Sequence, residues 1–366
     1  MTAVGDLLEL AYGKALKDSD RDGGDVPVVG SGGIVGRHSR GITDAPSIVV
    51  GRKGSIGSVT WVDGPAWPID TAYFVRPREN DLDRRWAYWM LKSLRLETMN
   101  KSAAVPGLNR DDVYRLEVNL PPLSEQRRIA AILDHVDALR AKRRQLVTHL
   151  DALTESIFND MFGQALATVP LSEAVEEFRY GTSNKSGVAG YPTLRIPNVV
   201  GGAIDTSEIK TVDVGRADLR RLTLRDGDLL FVRTNGNPDN VGRAAVFSGD
   251  AVGPAGFGGE PWIYASYLIR ARLMRSFVPV FVATYLATSD GRKQLRERAK
   301  TSAGQYNINT EALASIRIPD VPPEHQQEFA DIDSKVMTQR TRVVRLAAAD
   351  DELFTSLQAR AFSGRL

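Results

Sequence analysis

Along two stretches of the chain, apolar residues recur at alternating three- and four-residue steps, and each stretch predicts a long helix. The first, from about 124 to 162, carries Ile129, Ile132, Val136, Leu139, Leu146, Leu150, Leu153 and Ile157, with Arg143 the only interruption. The second carries Phe329, Ile332, Val336, Val343, Leu346, Leu353 and Leu357, broken by Gln339 and Asp350. This is a heptad seam, narrower than the apolar stripe of a surface helix. At 1.5 Å per residue, the first helix would be on the order of 60 Å long. A small globular domain cannot bury such a seam, so each helix wants the other or a partner protein. An antiparallel pair would put the globular segments at opposite ends, and one register sets Arg143 against Gln339. That register leaves Asp350 against Ile132; the alternative is that both seams pack on their own domains.

The two helices belong to an internal duplication. Residues 109–162 align with 309–362 at a constant offset of 200, through Asn109/Asn309, Pro122/Pro322, Gln126/Gln326, Val136/Val336 and Phe162/Phe362. Tyr12-Gly13 resembles Tyr180-Gly181 at an offset of 168, so the second globular segment is longer by 32 residues. Each segment ends in a short strand (116–118; 316–318), a proline stop and a helix start. Ser124 is placed to cap the first helix, with Glu125 in its first turn. The expected organisation is α+β. A globular domain over 1–122 leads to a helix over 123–163, a second domain over 164–323 leads to a helix over 324–366, and the helices form an antiparallel coiled coil.

Within the globular segments the pattern shifts to strands separated by glycine-rich polar loops. Residues 47–59 read as a strand, a basic turn with Arg52, Lys53 and Ser55, and a returning strand. Such a tip suits a DNA groove, where arginine or lysine can meet guanine or clamp phosphate; it is equally an ordinary solvated turn. Arg37 and His38 close a glycine-rich stretch that lacks the phosphate-loop spacing. Residues 67–75 read as one strand and 84–99 as a helix, with Asp70 structural. In the second segment Arg233, Asn235, Asn237 and Arg243 sit on a strand–loop–strand; asparagine suits adenine but also suits turns. The loop Gln305-Tyr306-Asn307 precedes the last strand, and Pro106 through Asn109 and Arg110 is its counterpart.

Composition narrows the classes. The 366 residues contain no cysteine, so disulfides and thiolate metal sites are excluded, and the four histidines lack ligand spacing. Net charge is +2; residues 1–122 hold 16 basic and 16 acidic side chains, and 164–323 hold 19 and 16. Nucleic-acid binding depends on local charge, so these totals leave it open. No membrane-spanning run or leader pattern is present, and a cytoplasmic protein is expected. No nucleophile, metal or cofactor fingerprint marks a catalytic site. A nuclease or methyltransferase would need motifs not found here, whereas a coiled-coil scaffold without DNA readout remains a rival.

The runs SGGIVGRH, PSIVVGRKGSIGSVTWVDGPAWPIDTAYFV and GLNRDDVYRLEVNLPPLSEQRRIAAILD resemble the first half of Type I restriction–modification specificity subunits. GDLLFVRTNGNPDNVGRAAVF, GQYNIN and VPPEHQQEF resemble a second, divergent target-recognition domain of that family. The resemblance implies a non-catalytic subunit that reads an asymmetric, split target in double-stranded DNA. It also implies docking of two methyltransferase subunits and, through them, restriction motor-nuclease subunits. S-adenosylmethionine and ATP with magnesium would then belong to the partners, with no cofactor in this chain. The second helix begins Glu324-His325-Gln326-Gln327-Glu328, a departure that bears on whether both helices dock partners equally.

Overall fold

A computed structural model describes residues 1–78, 81–99, 107–163, 167–257, 259–302 and 304–366. Pro106, and with it the head of the first loop before the last strand, lies outside the described residues, as does the 164–166 junction. The chain divides into two compact units, Met1–Gln145 with Val343–Leu366, and Leu146–Arg342. Each unit therefore joins one globular segment to a portion of both long helices.

The two units repeat one plan. In the first, an antiparallel sheet runs in the order Leu8–Tyr12, Ala72–Pro77, Ser47–Gly51, Val59–Val62. In the second, the order is Val175–Tyr180, Leu268–Leu273, Leu229–Val232, Ala244–Val246. The Ser47–Gly51 and Leu229–Val232 strands are buried along their whole length, as their unbroken apolar runs require. Strand alternation sends successive residues to opposite faces. Leu229 and Phe231 enter the core that receives the long helices, while Leu230 and Val232 enter a separate one. Ile48 and Val50 divide from Val49 in the same way. A smaller three-stranded sheet, with one parallel pair, accompanies each main sheet.

Two local expectations are revised. Residues 67–75 are two strands, Trp67–Pro68 and Ala72–Pro77, separated by a turn closed by Ala72 N donating to the Ile69 carbonyl at 3.0 Å. The helix expected over 84–99 spans Arg84–Ser93, and a 3-10 turn follows at Leu96–Thr98. Arg95, at φ 49°, breaks it, because a left-handed residue cannot continue a right-handed helix.

The long helices span Leu123–Phe162 and Pro323–Phe362, 40 residues each. Ser124 falls inside the first turn rather than at the cap. Pro122 leads in, its carbonyl accepting from Glu125 N and Gln126 N. The proline cannot donate a backbone hydrogen bond, so it costs nothing at a helix start. Gln126, 1% exposed, accepts from Asp83 N at 2.8 Å and donates to the Asp81 and Pro121 carbonyls at 3.1 and 3.0 Å. Gln326, equally buried, accepts from Val278 N at 2.9 Å and donates to the Val321 carbonyl at 2.7 Å. Asp83 and Val278 are the N-caps of the helices Arg84–Ser93 and Pro279–Ala287. Each glutamine thus ties a long helix to the helix that carries its unit's aromatic core. In the first unit Trp86 and Trp89 meet Phe362 and Phe354 there, and in the second Phe281 meets Phe158 and Phe162.

Within each unit the two helices pair antiparallel. Arg140 and Arg143 of the first unit bond Asp351 and Asp350; Asp151 and Thr154 of the second bond Arg340 and Asp333. Arg140–Asp351 and Asp151–Arg340 are the same contact carried across the duplication, as in an isologous interface. Arg143 meets Asp350, at 2.5 Å, rather than Gln339, which is exposed. The attraction between the two opposite charges offsets the cost of withdrawing each from water, which a pairing with neutral Gln339 would leave uncompensated. The inward column also differs from the expected one. Ile129, Val136, Leu150 and Ile157 point inward, but they alternate with Leu133, Arg140, Val147 and Thr154. On the second helix Phe329, Val336, Val343 and Leu357 alternate with Asp333, Arg340, Ala347 and Phe354. Ile132 and Ile332 are half-buried, and Leu139, Leu146, Leu153, Leu346 and Leu353 are exposed. The polar members of the true column are satisfied across the pair, so the column tolerates them.

Candidate nucleic-acid interface

Both main sheets end at the same construction. Tyr12 closes the first edge strand, and Arg52 follows the buried Ser47–Gly51 strand. The Arg52 guanidinium lies 4.8 Å from the centre of the Tyr12 ring and 5.8 Å from that of Tyr73. Its Nη1 donates to the Asp70 carbonyl at 3.0 Å, its backbone N to the Thr71 carbonyl at 2.9 Å, and its own carbonyl accepts from Leu108 N at 2.9 Å. In the second unit the Arg233 guanidinium lies 4.8 Å from the Tyr180 ring centre. Its Nη1 donates to the Ser266 carbonyl at 3.4 Å, its backbone N to the Tyr267 carbonyl at 2.9 Å, and its carbonyl accepts from Ile308 N at 2.9 Å. The repeated glycines follow from the same packing. A Cβ on Gly13 would strike the carbonyl of Ile69, and one on Gly181 that of Tyr264. The turn at 69–71, which the sequence reads as continuous strand, is thus the platform for Arg52.

The loops around these arginines differ between the units. Lys53, exposed, is bridged antiparallel to Gly107, and Thr234 pairs with Asn307 at the equivalent place. Around the first arginine stand exposed Ser55 and half-buried Arg110, whose guanidinium lies 4.9 Å from the Tyr12 ring centre. Around the second, a three-stranded sheet of 234–235, 305–307 and 300–302 brings Asn235 beside Tyr306. Gln305 Oε1 accepts from Thr234 Oγ1 at 3.0 Å, and Asn307 Nδ2 donates to the Gln305 carbonyl at 3.4 Å.

Several expected contact residues have structural duties. Asn109 Oδ1 accepts from Asp111 N and caps the short helix Arg110–Tyr114, as Asn309 caps Thr310–Ala314. Asn235 Oδ1 accepts from Asn237 N, and Asn237 Oδ1 from Asp239 N, each at 2.9 Å, so both asparagines shape their loop. Arg243 Nη1 donates to Asn240 Oδ1 at 3.3 Å, and burial pushes its guanidinium pKa down. Arg37 is exposed and donates to the Asp25 carbonyl at 3.0 Å, away from the Arg52 turn in its contacts. His38 Nδ1 lies 3.1 Å from the Asp22 carboxylate, and its ring is edge-on to Trp67.

Sequence reasoning missed Tyr12 and Tyr180 as site residues. Their signal was the repeated Tyr-Gly, visible as a domain start but not as a partner for an arginine. Other arginines are consumed internally. Arg270, 1% exposed, bonds Glu177, and Arg272 bonds Asp228 at 2.7 Å. The Arg179 hydrogen bond holds the Glu177 carboxyl below the usual range. Among the described residues, neither Arg52 nor Arg233 has an ion-pair partner, and no cluster of histidines and carboxylates is placed to hold a metal. No described helix is long and apolar enough to cross a membrane.

Comparison with known proteins gives this geometry relatives. Residues 1–149 match the family described as Type I restriction modification DNA specificity domain. The Type I restriction enzyme EcoKI specificity subunit of Escherichia coli K12 is 26% identical over 297 residues, 74% of this chain and 62% of that relative. The StySPI specificity subunit of Salmonella potsdam is 23% identical over 305 residues, with the same shares. The chain spans about three-fifths of the length of these relatives. A Type I restriction-modification S subunit from M. genitalium shares the fold with a TM-score of 0.66 at 18% identity, covering 98% of this chain and 95% of that one. A chain from a study of complex assembly in the type I system has a TM-score of 0.57 at 15% identity, covering 100% and 97%. With its duplicated sheets and paired helices, and over residues 1–149 in its family match, the chain is similar to the Type I restriction–modification specificity subunits.

Proposed function

We propose that this chain is the DNA-reading subunit of a Type I restriction–modification complex, with the chemistry residing in its partners. Each unit reads one half of a split, asymmetric target in double-stranded DNA, and the paired helices set the spacing between halves. The observation that carries this reading is the equivalent sheet-end frame in both units, bearing different loop residues at matching positions. Lys53 stands where the second unit has Thr234, and Gly107 where it has Asn307. One scaffold with two different reading loops suits two different half-sites.

At the level of loops, the DNA-facing residues are Arg37, His38, Arg52, Lys53, Ser55, Asn109 and Arg110 in one unit. In the other they are Arg233, Asn235, Asn237, Arg243, Gln305, Tyr306 and Asn307. Two methyltransferase subunits dock on the long helices and bring S-adenosylmethionine; restriction subunits join through them and bring ATP with magnesium. Leucines 139, 146 and 153 of the first helix and 346 and 353 of the second, exposed at seven-residue spacing, support a protein-docking role. A cytoplasmic location fits this work.

Exchange of residues 164–323 for the matching segment of a relative with a different target tests the proposal. One half of the methylated motif should change and the other persist. A motif altered in both halves, or in neither, would contradict it.

A further inference from the structure

Resting on the DNA-reading function, we infer that Arg52 with Tyr12 and Arg233 with Tyr180 are a matched pair of DNA-backbone clamps that grip phosphodiester groups, while base selection belongs to the loops beside them.

The duplication supplies two independent copies of the same device. The tyrosines are 168 residues apart, the arginines 181 and the residues bonding the arginine carbonyls 200, so insertions have shifted everything around them. Yet both guanidinium groups lie 4.8 Å from their ring centres, and both are held by the same three backbone connections. The neighbouring residues have diverged, from Lys53-Gly54-Ser55 to Thr234-Asn235-Gly236. A feature identical in both units cannot distinguish two different half-sites. Phosphate is the group that every DNA sequence presents alike, and contacts to it fix register rather than sequence.

The electrostatics agree. An arginine cannot lose its charge, and stacking on a tyrosine fixes its plane before DNA arrives. Among the described residues neither guanidinium is neutralised by a carboxylate, unlike Arg270 and Arg272. Each spends Nη1 on a backbone carbonyl and keeps further N–H donors. In the first unit Arg110 adds a second guanidinium against the same Tyr12 ring. Two cations at one ring repel each other until an anion comes between them.

The test uses the full chain and a duplex library with randomised positions, sequenced after capture, together with salt titrations of binding to the enriched duplex. Arg52→Ala and Arg233→Ala should each leave the enriched motif unchanged, weaken binding roughly tenfold, and lower the log–log salt slope by about 0.9. Arg52→Lys should restore most of the slope, because a point charge suffices for phosphate but not for a bidentate base contact. Intact melting profiles for the two alanine variants exclude misfolding as the cause. Relaxed preference at one base pair in either alanine variant, with the slope unchanged, would overturn the clamp and make that arginine a base reader. If the wild-type chain enriches no motif but binds in a salt-dependent way that both arginines support, the clamp stands and sequence reading fails. If it does not bind duplex DNA, both readings fall.

Discussion

Replacing Gln126 by methionine should loosen the first unit where a long helix meets its globular core. The substitution nearly conserves volume, so it leaves little cavity and isolates the hydrogen bonds. Gln126 is 1% exposed and makes three contacts of 2.8–3.1 Å. Methionine would strand the Asp83 N–H and the Asp81 and Pro121 carbonyls, at about 1 kcal/mol each, or about 3 kcal/mol in total. Because Asp83 also caps its helix by accepting from Trp86 N at 2.8 Å, the loss reaches the buried Trp86–Trp89 core. For a unit of about 170 residues, each kcal/mol moves Tm by roughly 2–4 °C, so a fall of about 9 °C is expected. Tryptophan fluorescence reads this unit selectively, since Trp61, Trp67, Trp86 and Trp89 lie in it and Trp262 in the other. Gln326→Met repeats the experiment in the second unit, with two short bonds at stake and a loss of about 2 kcal/mol. A shift below about 1 °C for Gln126→Met would refute the tie between helix and core.

Three further outcomes follow from the helix pair and its faces. Asp350→Leu should cost about 2 kcal/mol by leaving the half-buried Arg143 unpaired, whereas the double change Arg143→Leu with Asp350→Leu should be near neutral; urea denaturation of the four-protein cycle measures both. Burial raises the pKa of Asp333 despite its bond from Thr154, so the folded second unit holds that proton above the ordinary carboxylate range. The folded state then binds more protons than the unfolded one in that window, and stability falls as pH rises through it; Asp333→Asn should flatten this slope, and an unchanged urea midpoint-versus-pH curve would contradict the assignment. Leu146→Ser with Leu153→Ser should change stability by no more than about 0.5 kcal/mol, since both side chains are exposed, while reducing methyltransferase co-purification; unimpaired co-purification would remove these leucines from the docking face.

The duplication and the helix pair were readable because each rests on periodicity or on repeated residues. The inward column of the helices was not. Leu139, Leu146 and Leu153 keep heptad spacing with Val136 and Leu150 just as well as Arg140, Val147 and Thr154 do, and they are more apolar. What decides between the columns is complementarity across the pair, Arg140 with Asp351 and Asp151 with Arg340, which a single helix does not display. The sheet-end site was half visible. Arg52 and Arg233 stood out as basic residues in turns, but their tyrosines lie 40 and 53 residues earlier, joined to them only by the sheet. Asn235 and Asn237 suit adenine and turns alike, and only the hydrogen bonds reveal that both shape their loop.

Single-molecule methylation mapping of the host genome, with and without this gene, reads the chain's DNA target in the cell. One split motif, asymmetric and methylated on adenine, should vanish when the gene is removed and return when it is restored. An unchanged methylome, in cells where the chain is made and co-purifies with a methyltransferase, would contradict the DNA-reading function.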